Sequence, residues 1–236
     1  MTAEPDRPTL VLWDVDQTLI EVGGATRRAY ASAFAAAVGR PLIEPWQFNG
    51  RTELAAVAHV LEAHGVPATP RRIGAFVASI ESEMHASAAQ IRAEGRVLPG
   101  AVDALRAVAE LPGVHQSVLT GNLYSLAVLK LSIFELADFL DLRLGAFGAD
   151  DVDRLALPAH AWRRAHDHLG HWFTGRDTVI VGDTLLDVAT GKAAGARVVA
   201  VATGPASESD LAAAGADVVL GDLRDTPAVL AALAGG

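Results

Sequence analysis

The sequence predicts an α/β fold: a Rossmann-like, mostly parallel sheet with helices on both faces, plus an inserted all-helical segment. Three observations carry that expectation. Short β-branched apolar runs recur along the chain, and each of the first three ends abruptly in polar residues. The stretches between runs have the length and periodicity of helical crossovers. One interval, of about 100 residues, is far too long for a single crossover.

The first run is Leu10-Val11-Leu12-Trp13, followed by Asp14. After it, residues 21–95 show no strand pattern and read as helices over 25–38, 52–64 and 70–92. Pro41, Pro45, Gly65-Val66-Pro67 and Pro70 punctuate the breaks. Gly23-Gly24 offers a hinge on entry, and Gly95 with Pro99-Gly100 marks the return. The second run is Ser117-Val118-Leu119 before Thr120-Gly121-Asn122, and the third is Thr178-Val179-Ile180-Val181 before Gly182-Asp183. Arg197-Val198-Val199-Ala200-Val201 and Asp217-Val218-Val219-Leu220 complete the set, with Ala/Gly-rich helices between them. The chain divides accordingly into an α/β core (1–20 and 96–236) and a helical unit (21–95). Ligands of open parallel sheets sit beyond the carboxyl ends of the strands, so the polar terminations converge on one crevice.

Composition narrows the function. The 236 residues carry a formal charge of −9, which argues against a general nucleic-acid binder. With no cysteine there is no disulfide, thiolate metal site or cysteine nucleophile, which fits a reducing cytoplasm. Residues 1–8 do not read as a targeting signal, and no stretch approaches the ~18 apolar residues of a membrane span. Lys130 and Lys192 are the chain's two lysines.

Two acidic motifs stand at strand ends. Asp14-Val15-Asp16-Gln17-Thr18 places carboxylates at i and i+2, and Gly182-Asp183-Thr184-Leu185-Leu186-Asp187 adds two more. Each alone also fits a strand-to-turn cap or a helix N-terminus. Together they gather up to four like charges, a cluster that is costly unless a cation neutralises it. Hard oxygen ligands of this kind suit Mg²⁺ alongside a phosphate.

These motifs, in this order and spacing, resemble the haloacid dehalogenase (HAD) superfamily, specifically its phosphoglycolate-phosphatase-like members with a helical cap after the first motif. The resemblance spans nearly the whole chain: Asp14 to Leu19, Leu119-Thr120-Gly121-Asn122, Val181 to Asp187, and Lys192-Ala193-Ala194-Gly195-Ala196 before a strand. It implies a Mg²⁺-dependent phosphatase of a small phosphomonoester. In that reading Asp14 is the nucleophile that forms an aspartyl-phosphate. Asp16 is the acid and base, and its backbone carbonyl binds the metal. Asp14 and Asp183 are carboxylate ligands, with Asp187 reaching the metal directly or through water. Thr120 and the backbone around Gly121 hold phosphoryl oxygens, and Thr18 and Asn122 join the substrate-contacting set.

Two departures from the family pattern matter. Gln17 stands where the family usually has Gly. The third motif, usually a lysine followed by proline, is matched by Asp151-Val152-Asp153-Arg154-Leu155-Ala156-Leu157-Pro158, which puts Arg154 in its place. Lys130 competes for that role, but lies about two turns into a helix, ~12 Å of rise away, so Arg154 is favoured. The phosphonate-cleaving members that this superfamily includes need a cap lysine for a Schiff base, and residues 21–95 contain none. Asp16 argues against a dehalogenase. Thr26 stands where mutases of this superfamily carry a histidine. A phosphatase is therefore preferred over a mutase, a dehalogenase or a non-catalytic regulator. Arg51, in Asn49-Gly50-Arg51-Thr52, is the expected cap-side substrate contact, with helix capping around Thr52 as the alternative. Trp46 and Phe48 fit a cap core better than a cap pocket. His166 and His168 stand at i and i+2, which point to different faces of a helix, so the cluster with His171 is not expected to share a metal; Arg163-Arg164 read as a solvated face.

Overall fold

The computed structural model describes residues 8–43 and 50–234; Pro45, Trp46, Phe48 and Asn49 lie outside them. The first strand, β1 (Thr9–Trp13), shows why its run is apolar throughout. Alternate side chains of a strand point to opposite faces, and here both faces are covered. Val11 and Trp13 enter one core cluster, and Leu10 and Leu12 enter another. The buried Trp13 indole donates to Gln116 Oε1 at 3.1 Å, and Gln116 Nε2 donates to the Leu105 carbonyl at 2.8 Å. Satisfying these groups avoids the ~1–3 kcal/mol that an orphaned buried polar atom costs.

A two-residue strand, β2 (Ile20–Glu21), leads into a span whose described residues form four helices: α1 (Ala25–Val38), α2 (Glu53–Ala63), α3 (Pro70–Ala86) and α4 (Ala88–Glu94). The limits follow capping chemistry. Thr52 and Thr69 accept backbone N–H bonds at the starts of α2 and α3, Pro70 opens α3, and Gly39 closes α1 in the left-handed region. Phe76 packs edge-on against Tyr30 and Phe34, with centroids 5.6 and 6.3 Å apart, which locks α3 onto α1. The helix expected over 70–92 is broken: α3 stops and α4 restarts around Ser87. No Gly or Pro marks that break. Ser87 takes the last carbonyls of α3 through its N–H and offers its own carbonyl to Ile91, and this turn delivers Ile91 into the core.

The return strand β3 (Arg96–Val97) pairs antiparallel with β2, Ile20 opposite Val97 and Glu21 opposite Arg96, with an Arg96–Glu21 ion pair at 2.6 Å. Both passages between sheet and helical insertion are thus stitched together. Beyond them run α5 (Ala101–Ala109), β4 (Val114–Val118), α6 (Tyr124–Ile133), α7 (Leu157–Leu169), β5 (Thr178–Gly182) and α8 (Leu185–Ala194). β6 (Arg197–Val201), α9 (Glu208–Ala213), β7 (Val218–Leu220) and α10 (Thr226–Ala234) complete the chain.

The five main strands form one parallel sheet in the order β4-β1-β5-β6-β7. Helices α5, α6 and α10 cover one face. Helices α7, α8 and α9 cover the other. The α/β expectation matches this architecture. The second apolar run is displaced, however: β4 ends at Val118, and Leu119 instead bridges Ala146. Arg164 is likewise not a plain solvated residue, since it holds Asp150 at 2.6 Å. No helix among the described residues is long and apolar enough to cross a membrane.

Candidate active site

The central strands β1 and β5 lie side by side, with Trp13 opposite Val181, so the motifs that follow them emerge at one edge. The third polar termination, Thr120-Gly121-Asn122, follows β4 on the other side of β1. A cavity of about 640 Å³ opens there, lined among others by Asp14, Asp16, Thr120, Lys130, Arg154 and Asp183. The helical insertion closes its far side through Thr26, Arg27, Tyr30, Arg51 and Glu53.

The insertion sits down on the core through backbone contacts. Glu53 N–H donates to the Gly121 carbonyl at 2.8 Å, Thr52 Oγ1 to the Val152 carbonyl at 2.9 Å, and Arg154 Nη1 to the Gly50 carbonyl at 2.9 Å. Gly121 has to be glycine for this approach, because a Cβ there would lie 2.2 Å from the Arg51 carbonyl oxygen.

Asp14, Asp183 and Asp187 are buried, and each offers a carboxylate oxygen within 4.8 Å of the others'. Burial, reinforced by the neighbouring acids, pushes Asp14 up to about 7 despite Arg154. Burial, then repulsion from Asp14 and Asp187, pushes Asp183 up to about 9. These three carboxylates outnumber the one guanidinium paired with them, and hard oxygen donors of this kind fit Mg²⁺. Asp183 Oδ1 accepts from Thr18 Oγ1 at 3.1 Å, and Gly204 leaves room for Oδ2: a Cβ at 204 would stand 1.8 Å from it. Asp187 is more fully engaged. Its Oδ2 accepts from Thr184 Oγ1 and N–H in a capping box, and its Oδ1 from Arg154.

The two candidate cations go to different acids. Arg154 Nη2 lies 3.1 Å from Asp14 Oδ1 and 2.5 Å from Asp187 Oδ1. Those carboxylates hold the Arg154 guanidinium well above its ordinary value despite its burial. Lys130 Nζ instead reaches Asp16, at 2.9 and 2.7 Å from its two oxygens, and Asn122 Oδ1 at 2.6 Å. The rise along α6 is therefore no obstacle, because the helix delivers Lys130 directly to the cavity.

Thr18 and Asn122 occupy places unlike those expected. Thr18 is fully buried beneath Asp183 and is not on the cavity wall. Asn122 lines the cavity, but its Nδ2 donates to Asp16 and Thr120 while its Oδ1 accepts from Lys130, so its polar atoms knit these residues together. Thr120 Oγ1 accepts from Asn122, which leaves its proton to donate into the cavity; the Gly121 amide has no acceptor among the described residues. Arg51 and Gln17 reach the cavity wall. The histidines do not assemble: His166 stacks on Trp172 and His171 meets Phe173 edge-on.

Four participants escape the sequence. Tyr30 reads there as one apolar position of α1, and Glu53 as an ordinary acid in the first turn of a helix. Gly204 and Thr203 carry no motif; Thr203 Oγ1 donates to the Gln17 carbonyl and pins the first motif's turn.

The fold is of the HAD-like type. Residues 157–226 match the family model described as HAD-hydrolase-like. A Clostridium acetobutylicum protein assigned as a phosphatase superposes with a TM-score of 0.72 at 17% identity, covering 95% of this chain and 99% of its own. One from Bacteroides vulgatus assigned as a β-phosphoglucomutase gives 0.71 at 20%, covering 97% and 91%. One from Haemophilus somnus assigned as a phosphoglycolate phosphatase gives 0.63 at 17%, covering 94% and 97%. No curated protein matches the chain in sequence. The chain has the haloacid dehalogenase fold, and its C-terminal portion carries the sequence signature of HAD-like hydrolases.

Proposed function

We propose that the protein is a Mg²⁺-dependent phosphatase of small phosphomonoesters, working through an aspartyl-phosphate on Asp14. The observation that carries this reading is the junction of Asp14, Asp183 and Asp187 with Arg154 at the carboxyl edge of the sheet. Phosphoryl transfer depends chiefly on positioning and charge neutralisation, and this cluster provides both.

Asp14 and Asp183 would hold the cation, with Asp187 reaching it directly or through water and the Asp16 carbonyl completing the protein's share. When bound, Mg²⁺ neutralises the carboxylates and the phosphoryl oxygens. Asp14 attacks phosphorus as the bond to the ester oxygen breaks, and Asp16 gives its proton to that oxygen. Asp16 then takes a proton from water, which attacks the phosphorus of the aspartyl-phosphate, releasing phosphate and restoring the Asp14 carboxylate. Arg154 orients Asp14, the Thr120 hydroxyl and the Gly121 amide hold phosphoryl oxygens, and Lys130 with Asn122 fixes the rotamer of Asp16.

Residues 21–95 act as a lid that excludes bulk water and limits the substrate to a small molecule. Hydrolysis is preferred to phosphomutase transfer because Thr26, which lines the cavity, has no imidazole to shuttle a proton. The test is hydrolysis of an aryl phosphate with and without Mg²⁺, with Asp14→Asn as control. Turnover that needs both the metal and Asp14 is expected. Absence of metal-dependent turnover across a broad panel of phosphate esters would overturn the assignment.

A further inference from the structure

The wall of the cavity opposite the strand ends holds a carboxylate that the proposed chemistry does not use. Glu53, at the start of α2, is 7% exposed and lines the cavity, as does Tyr30 of α1. The Tyr30 hydroxyl donates to Glu53 Oε1 at 2.5 Å, so one oxygen is fixed from behind. The backbone N–H of Glu53 is held by Gly121, which ties its position to the loop expected to bind the phosphoryl group. Its Oε2 has no hydrogen-bond partner among the described residues, yet is not sealed off from the cavity. Lys130 and Asp16 are close enough for their charges to act on it. Glu53 therefore stands beside the residue that would protonate the leaving oxygen.

An acceptor facing the cavity at this point is suited to a donor on the ligand. We infer that Glu53, held by Tyr30, selects the alcohol half of the substrate: it accepts a hydrogen bond from a hydroxyl near the ester oxygen and rejects a carboxylate there. The substrate class is then a phosphorylated polyol or sugar, not a phosphorylated hydroxy acid. An ammonium donor fits less well, because Arg27, Arg51 and Lys130 line the same cavity. This inference rests on the phosphatase reading and adds the leaving group to it. A site built around a buried acceptor discriminates strongly against ligands that cannot satisfy it.

The test measures binding, so turnover does not enter. Calorimetric affinities of glycerol 3-phosphate, 2-phosphoglycolate and phosphoethanolamine are measured on Asp14→Asn with Mg²⁺, and again after adding Glu53→Gln. Glycerol 3-phosphate is expected to bind most tightly, and Glu53→Gln to shrink its preference over 2-phosphoglycolate by about tenfold. Tyr30→Phe, which keeps the ring packing, should reduce the same preference and serves where the Glu53 variant does not fold. A preference for 2-phosphoglycolate or phosphoethanolamine in the parent overturns the inference. So does a preference that none of the folded variants alters. Failure of every ester to bind overturns the phosphatase reading and the inference with it.

Discussion

Arg154 Nη2 lies 3.1 Å from Asp14 Oδ1, although 140 residues separate the two in sequence, and the same nitrogen holds Asp187 at 2.5 Å. One guanidinium therefore bridges the carboxylates that follow two neighbouring strands. Its Nη1 holds the Gly50 carbonyl, so the helical insertion is tied to the same side chain. A lysine offers one nitrogen and could not keep all these contacts in one plane.

Removing Arg154 should therefore be more damaging than removing Lys130. With a donor to the proposed nucleophile Asp14 lost, Arg154→Ala is expected to lower kcat about 10²–10³-fold. It also strands the fully buried Asp187, and breaking a buried pair costs about 3–5 kcal/mol. Lys130→Ala removes the ion pair of Asp16, but Asn122 still donates to that carboxylate, which is 35% exposed, so water can take over the rest of its solvation. Turnover and thermal melts of Arg154→Ala, Arg154→Lys and Lys130→Ala check this. A larger loss of turnover in Lys130→Ala would reverse the assignment of the two cations.

The raised carboxylates fix the sign of the pH dependence without metal. Asp14 is pushed up to about 7 and Asp183 to about 9, against 3.8 unfolded. Between these limits the native state holds protons that the unfolded chain has released. In EDTA, the contribution of these two groups to stability is therefore full below the unfolded value and is lost as pH rises through about 7 for Asp14 and about 9 for Asp183. A bound cation favours the ionised forms, so the increase in Tm from Mg²⁺ should grow over the same window. Melting curves with EDTA and with Mg²⁺ across that range measure it; a gain that shrinks with rising pH would contradict the carboxylate cluster.

Much of the framework is legible because burial on both faces leaves a continuous apolar run. The runs behind β5 and β6 stand out for that reason, and the Gly/Pro punctuation marks α1 closely. The β2–β3 ribbon was not legible, since two residues per strand carry no periodicity. The break at Ser87 was hidden because backbone hydrogen bonding alone makes it. In the site, the acids announce themselves by position after strands. The division of labour between Arg154 and Lys130 did not, because residue spacing gives the rise along a helix and says nothing of where its axis points. Glu53 was hidden for a related reason: a first-turn acid looks the same whether it faces solvent or a cavity.

Gln17 shows the price of one departure from the family pattern. It sits at φ 64°, in the left-handed region where a side chain costs about 1–2 kcal/mol. Its backbone N–H to Ile20 and carbonyl to Thr203 hold that conformation in place. Gln17→Gly removes the strain but gives the unfolded chain more freedom, for a net gain of about 0.5–1 kcal/mol. For a chain of this size the Tm should rise by about 1–4 °C. A lower melting temperature would mean that the Gln17 side chain makes compensating contacts at the cavity entrance.

Gly204 tests whether Asp183 must stand where it does. A methyl at 204 would come within 1.8 Å of Asp183 Oδ2, and Asp183 cannot simply swing aside, because Thr18 holds its other oxygen and it is buried. Gly204→Ala therefore forces either this loop or the buried carboxylate to shift, and either shift disturbs the proposed cation position. Disturbing the support of a metal ligand typically weakens metal affinity about 10–100-fold, and the Mg²⁺ concentration for half-maximal stabilisation should rise by that factor. Gly74→Ala is the control: nothing lies within 4 Å of its added Cβ, and it falls inside α3, where alanine is favoured over glycine by about 1 kcal/mol. Mg²⁺ titrations followed by thermal melts of both variants decide the matter. If Gly204→Ala responds to Mg²⁺ as Gly74→Ala does, Asp183 is not a ligand.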